Sequence, residues 1–215
     1  MPPLIIARMA PPTFHVRRAP FAIEEPWALP SGCQRVALRR ATDGALPRLR
    51  TTVALFIDDG CLNALFQSDD DGIVATHLAH DAALYEEDVV EMFLAPRDPS
   101  NYFEIEVNPL GTTFDARIES PAGTRAGMRI DLAWDCADLF AAVRTTPHVI
   151  DTIVRIPFTS LGVAVPSGGE EWRANFFRID RSSVHGDEYS AWSPTLKNPP
   201  DFHVTAAFGR LLFDK

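Results

Sequence analysis

The sequence predicts an all-β domain, and three observations carry that expectation. Hydrophobic residues alternate with period two in a series of short runs, turn-forming connectors separate those runs, and helical periodicity is weak. In chain order the runs are "RTTVALFI", "CLNALFQS", "DVVEMFLA", "YFEIEVNP", "TFDARIES", "MRIDLAW", "VIDTIVRIPF", "EEWRANFFRID" and "AAFGRLLF". Many of the 18 prolines fall in connectors such as "APRDPSN", "VPSGGEE" and "SPTLKNPPD", where a missing backbone N–H costs no ladder bond. Many short strands joined this way form a sandwich or a barrel. Two segments do not alternate cleanly. "DCADLFAAV" reads as one short helix or a further strand, and "DDDGIVATHLAHDAALYEED" reads as a long structured loop.

A chain of 215 residues with 46% hydrophobic content suits a single large domain with a real core. No run of about 18 apolar residues exists to span a bilayer. The opening "MPPLIIARMAPPTFHVRRAP" carries only the short apolar run "LIIA" and no cationic leader before it, so it does not read as a secretory signal. At face value the protein is expected in the cytoplasm, or secreted or periplasmic if the native start differs. The formal charge of −9, from 29 acids against 20 Lys plus Arg, disfavours nucleic acid and anionic lipid as partners. Cys33, Cys61 and Cys136 are far apart and odd in number, which suggests buried free thiols rather than zinc ligands or disulfides.

One strand carries an anomaly. In "YEEDVVEMFL" (85–94), Val90, Met92 and Leu94 share one face, and Val89, Glu91 and Phe93 share the other. A carboxylate therefore stands between two hydrophobic residues. The stretch "EMFLAPRDPSNYFEIEVN" reads as a hairpin whose second strand points Phe103, Ile105 and Val107 one way, and Tyr102, Glu104, Glu106 and Asn108 the other. If the polar rows match, Glu91 lies opposite or diagonal to Glu106 and Glu104, at a cost of roughly 0.2–1 kcal/mol for a directly opposed like-charged pair. Either arginines on nearby strands (Arg117, Arg155 or Arg178) neutralise these acids, or a ligand or cation uses them.

Together, "FIDDGCLNALF", "LYEEDVVEMFLAP", "YFEIEVNPLGTTFDAR", "RIPFTSLG", "GEEWRANFFRID", "AWSPT", "PPDFH" and "FGRLLF" resemble, in order and spacing, the family-nine carbohydrate-binding modules and their DOMON-like relatives. The resemblance spans residues 35–215, with 1–34 an N-terminal extension that supplies the first strand or strands of the same domain. It implies a jelly-roll-like antiparallel β-sandwich with long loops, often with bound calcium, and a role in carbohydrate catabolism as a non-catalytic sugar-binding protein. The ligand implied is a mono- or oligosaccharide, the reducing ends of glucan or xylan chains among them, held by aromatic stacking and by hydrogen bonds to its hydroxyls.

Carried across by position, the aromatic clamps fall at Tyr85 and Phe202, and the carboxylate that follows the first clamp is Glu91. Glu106 stands where a basic residue can appear in sugar binders. Asn108 offers an amide, Arg178 a donor, His203 a further hydroxyl partner, and Asp88 a cap for the loop. Phe202, after "NPPD", is expected to face a ligand rather than the core. Trp172 and Trp192 are expected in the core, and Trp27 and Trp134 have no assigned place. For calcium, the acidic turns offer Asp58, Asp59, Asp69 and Asp71, although acidic turns are more often simply solvated.

Three other readings are open. The sandwich is degenerate, without sugar affinity. Or it holds haem b, with Met92 or Met128 on one side and His77, His80, His185 or His203 on the other. Or Glu91 and Glu106 act as a glycosidase pair at about 5–5.5 Å, for which the sequence shows neither a deep cleft nor an attached catalytic domain.

Overall fold

The computed structural model describes residues 10–215; the expected extension at 1–34 lies outside the described residues over positions 1–9. Fourteen strands form nearly all the regular structure: β1 Thr13–Arg18, β2 Arg35–Ala37, β3 Arg39–Arg40, β4 Thr51–Ile57, β5 Cys61–Asp69, β6 Val89–Ala95, β7 Asn101–Val107, β8 Thr113–Glu119, β9 Arg129–Asp131, β10 Phe140–Thr145, β11 Val149–Pro157, β12 Glu171–Asp180, β13 Glu188–Ala191 and β14 Gly209–Phe213. The ambiguous "DCADLFAAV" resolves in favour of strand, because Phe140–Thr145 pairs with β11. The long segment before β6 is a loop with one 3-10 turn at Leu84–Glu86.

The strands make a sandwich. One sheet runs β14-β12-β6-β7-β8-β9, with β13 pairing the far end of β12 and β3 pairing β13. The second runs β10-β11-β5-β4, with β2 beside β4. Strand β1 belongs to both. Thr13–Val16 lies parallel to β14, and Arg17 and Arg18 pair with Phe56 and Ile57 of β4. A strand that switches sheets in this way forms a corner and closes one side of the sandwich.

Period-two alternation fills the space between the sheets. Val90, Met92 and Leu94 of β6, Ile105 and Val107 of β7, and Trp172, Ala174 and Phe176 of β12 meet Val53 and Leu55 of β4 and Ala64 and Phe66 of β5. Trp192 packs here too, between Phe14 (5.8 Å) and Phe176 (5.5 Å), so Trp172 and Trp192 are both core residues. Trp134 lies against Phe103 at 4.8 Å, and Trp27 lies beneath the Arg144 guanidinium.

The first sheet is buried on its outer face as well. Val89, Phe93, Tyr102, Ala116, Ile118, Phe177 and Ile179 form a second apolar layer, covered by Ala41, Leu84, Phe202 and Phe208 from the loops. That is why β6 is apolar on both faces: every one of its seven residues is buried. Cys61 and Cys136 are buried free thiols; Cys33 is only half-buried, a departure from expectation caused by its place in the loop before β2.

The "FG" of the last strand has a steric reason. A Cβ on Gly209 would lie 2.3 and 2.4 Å from the Trp192 ring, which the two phenylalanines hold in place. Gly209→Ala is therefore expected to destabilise the fold by about 1–3 kcal/mol, the usual cost of overpacking a core. Urea denaturation with an unchanged slope and an earlier midpoint is the expected result.

Candidate functional site

The outer face of β6 and β7 holds three glutamates. The register sets Glu91 directly opposite Glu106, and Glu104 opposite Phe93. On the flanking strands Phe177 faces Glu91, Phe114 faces Glu106 and Ala116 faces Glu104. The acids are therefore walled by apolar side chains. Their relative exposures are 2%, 6% and 0% for Glu91, Glu104 and Glu106. One oxygen from each lies within 4.8 Å of the others.

No hydrogen-bond partner meets Oε1 of Glu91 or either oxygen of Glu106. The expected arginine partners are all engaged elsewhere: Arg117 with Asp131, Arg155 with Asp58, and Arg178 with Asp70 and Asp180. Burial, reinforced by Glu104, pushes the Glu91 carboxyl well above its usual range. Burial does the same to Glu106, with Glu91 and Glu104 adding to it. Glu104 is pushed up to about 7, chiefly by burial.

Around this floor the loops place a polar rim. Arg181 donates from Nη1 to Asp187 (2.6 Å) and to the Tyr189 hydroxyl (2.7 Å), and from Nη2 to the Tyr85 carbonyl (2.5 Å). Arg125 donates to Asp201 at 2.9 Å. Both guanidinium charges act on Glu91 from a distance. Asp88 accepts from the backbone N–H groups of Val74 and Arg181, each at 2.7 Å, and so fastens the loop to the end of β12. Tyr85, on the 3-10 turn, is 51% exposed. Beside the rim opens a groove of about 560 Å³, lined by Arg40, Arg48, His185, Asp187, Tyr189 and Asn198 among others.

The sequence matches carbohydrate-binding family 9 over residues 43–213. The chain belongs to carbohydrate-binding family 9. Its fold is similar to that of a candidate carbohydrate-binding protein from Bacteroides uniformis, with a TM-score of 0.71 at 17% identity over 95% of this chain and 100% of that one. It is also similar to a family 9 module from Caldicellulosiruptor kristjanssonii in complex with cellotriose, with a TM-score of 0.65 at 14% identity over 94% of this chain and 93% of that one. An "Extracellular protein" from Arthroderma benhamiae is 28% identical over 185 residues, covering 78% of this chain and 80% of that one.

Within this family 9 domain Glu91, Glu106, Phe202 and His203 lie on the outer face, Tyr85 is exposed on its 3-10 turn, and two other expected residues lie elsewhere. Phe202 is buried (7% exposed), contrary to its expected exposure: it stacks on Phe177 at 4.1 Å and is part of the outer apolar layer. Asn108 is fully buried and committed to the backbone. Its amide donates to the His77 carbonyl, and its oxygen accepts from the backbone N–H groups of Leu110 and Thr112. It shapes a turn, with its oxygen occupied and its amide turned to the His77 carbonyl. Arg178 is on the wrong face, in register with Val90, and is saturated by Thr51, the Asp69 carbonyl, Asp70 and Asp180.

The aspartates expected to hold calcium do not converge. Asp58 accepts from Gly60 and Cys61 N–H and pairs with Arg155. Asp59 pairs with Arg18, Asp71 with Arg48, and Asp69 is an exposed strand end. They do not fit a shared ion. Of the residues considered for haem, Met92 is locked in the inter-sheet core.

His203 is buried against Phe93 (5.0 Å) with its Nδ1 at 2.6 Å from the Tyr102 hydroxyl. Burial, aided by the Arg125 charge, lowers its pKa to about 4, so the ring is neutral when it shares its hydrogen bond with the phenol. The unfolded chain binds a proton here near the ordinary value of 6.5, so the folded state gains stability above that pH and loses it as pH falls through about 4. Ring resonances of His203 followed by NMR are expected to titrate near 4; a midpoint at 6.5 or above would contradict the packing described.

Proposed function

We propose that this family 9 domain is a non-catalytic carbohydrate-binding protein whose site is the outer face of β6 and β7. The observation that carries the reading is the set of buried acceptor oxygens on Glu91 and Glu106 that no protein group meets. Sugar hydroxyls are the complementary partners, because a carboxyl group accepts from one hydroxyl and, when protonated, donates to another. Tyr85 supplies an outward ring for the C–H face of a pyranose. Arg125 and Arg181 stand at the rim to donate to ring and hydroxyl oxygens.

The similarity to modules in complex with cellotriose and with glucose supports a glucan or a related sugar as the ligand. The groove beside Tyr189 has room for further units of a chain. An extracellular setting, as the name of the Arthroderma relative suggests for that protein, fits a binder of polysaccharide. Hydrolysis is disfavoured by the acids themselves. A retaining pair needs one ionised nucleophile, whereas burial raises both Glu91 and Glu106.

Calorimetric titration with cellobiose and then cellotriose tests the reading. Tyr85→Ala is expected to weaken binding about ten-fold, or about 1.4 kcal/mol, with little change in thermal midpoint because the ring is half in solvent. Glu91→Gln is expected to weaken it while leaving the protein folded. Absence of heat with these and with xylo-oligosaccharides would sink the sugar reading and leave a degenerate sandwich.

A further inference from the structure

We propose that Glu91, Glu104 and Glu106 together hold a divalent cation, with calcium the best match. Acidic residues alone would not suggest it. The decisive feature is that Glu106, with no exposed surface, has both carboxylate oxygens without a partner, and that Glu91 at 2% exposure adds a third such oxygen. Ionising these groups together in an apolar surrounding costs several kcal/mol per group, and a cation placed among the oxygens offsets that cost.

The geometry agrees. Three oxygens within 4.8 Å of one another leave their centre within roughly 2.8 Å of each, and calcium takes oxygen ligands at about 2.3–2.6 Å. Three carboxylates that bind through one or both oxygens give three to six ligands, and water or a sugar hydroxyl completes the shell. Among the described residues no Lys, Arg or His is in salt-bridge contact with the trio, since Arg125 and Arg181 are paired to Asp201 and Asp187.

A second buried acidic group, Asp70, Asp88 and Asp180, shows the contrast. There Arg178 and Arg48 neutralise Asp70 and Asp180, and backbone N–H groups of Val74 and Arg181 meet Asp88. That group has its cations already. The glutamate trio has none.

The assignment draws on the same unmet oxygens as the sugar reading, and it is tested without sugar. The full chain, stripped with EDTA, is titrated with calcium chloride and with manganese chloride by calorimetry. One ion per chain is expected for the wild type. Glu106→Gln and Glu91→Gln, each confirmed as folded by circular dichroism, are expected to weaken binding at least ten-fold, and Asp71→Asn to leave it unchanged. Anomalous diffraction from manganese-soaked wild-type crystals places the ion whatever the variants do, with the peak expected between the three carboxylates. No binding, or a peak elsewhere such as beside His80, Asp81 and Asp135, overturns the proposal. Cation bound with cellobiose silent keeps this inference and sinks the sugar reading; the reverse does the opposite.

Discussion

Everything distinctive in this molecule follows from carboxylates placed inside a sheet that is dry on both faces. The inner face of β6 and β7 packs the sandwich core, and the outer face is roofed by the loops that carry Leu84, Phe202 and Phe208. In that setting a row of glutamates cannot be ordinary surface charge. Isolated ions in such surroundings either neutralise or find partners. The arginines that could have served are committed to aspartates at the sandwich ends and rim. What is left is a set of oxygens, Oε1 of Glu91 and both of Glu106, that no protein group meets.

The roof and the site are one construction. Thr205 N–H bonds the Gly123 carbonyl, and Arg125 reaches Asp201, so two loops far apart in sequence close over the same strands. Arg181 joins the third, through the Tyr85 carbonyl, to the hydroxyl of Tyr189 at the edge of the open groove. Aromatic side chains that would be walls in a wide slot are here partly structural. Phe202 stacks inward on Phe177, which leaves Tyr85 as the ring turned to solvent.

Much of this was legible in the sequence, for reasons of parity. Alternation alone places Val90, Met92 and Leu94 inward and Glu91 outward and leaves Glu91 opposite or diagonal to Glu106, and the structure makes the pair directly opposed. The same parity tells against Arg178 as a ligand residue: in "EEWRANFFRID" it shares a face with Trp172, Ala174 and Phe176, and so points between the sheets. Asn108 was misplaced because its role is a local turn closed by the His77 carbonyl, thirty-one residues away in sequence. Arg125 and Arg181 carried no periodic signal because they lie outside the strands, and Tyr189 sits on the short strand β13. Asp58, Asp59, Asp69 and Asp71 are close in sequence and yet turn to different partners, because adjacent side chains at turns diverge.

The most direct test is a crystal structure of the protein grown with cellotriose. The account predicts a sugar ring against Tyr85, with hydroxyls, directly or through a bound cation, within hydrogen-bonding or coordination distance of Glu91 and Glu106. Sugar lodged only in the groove between Arg40 and Asn198, with the glutamate oxygens still unmet, would contradict it.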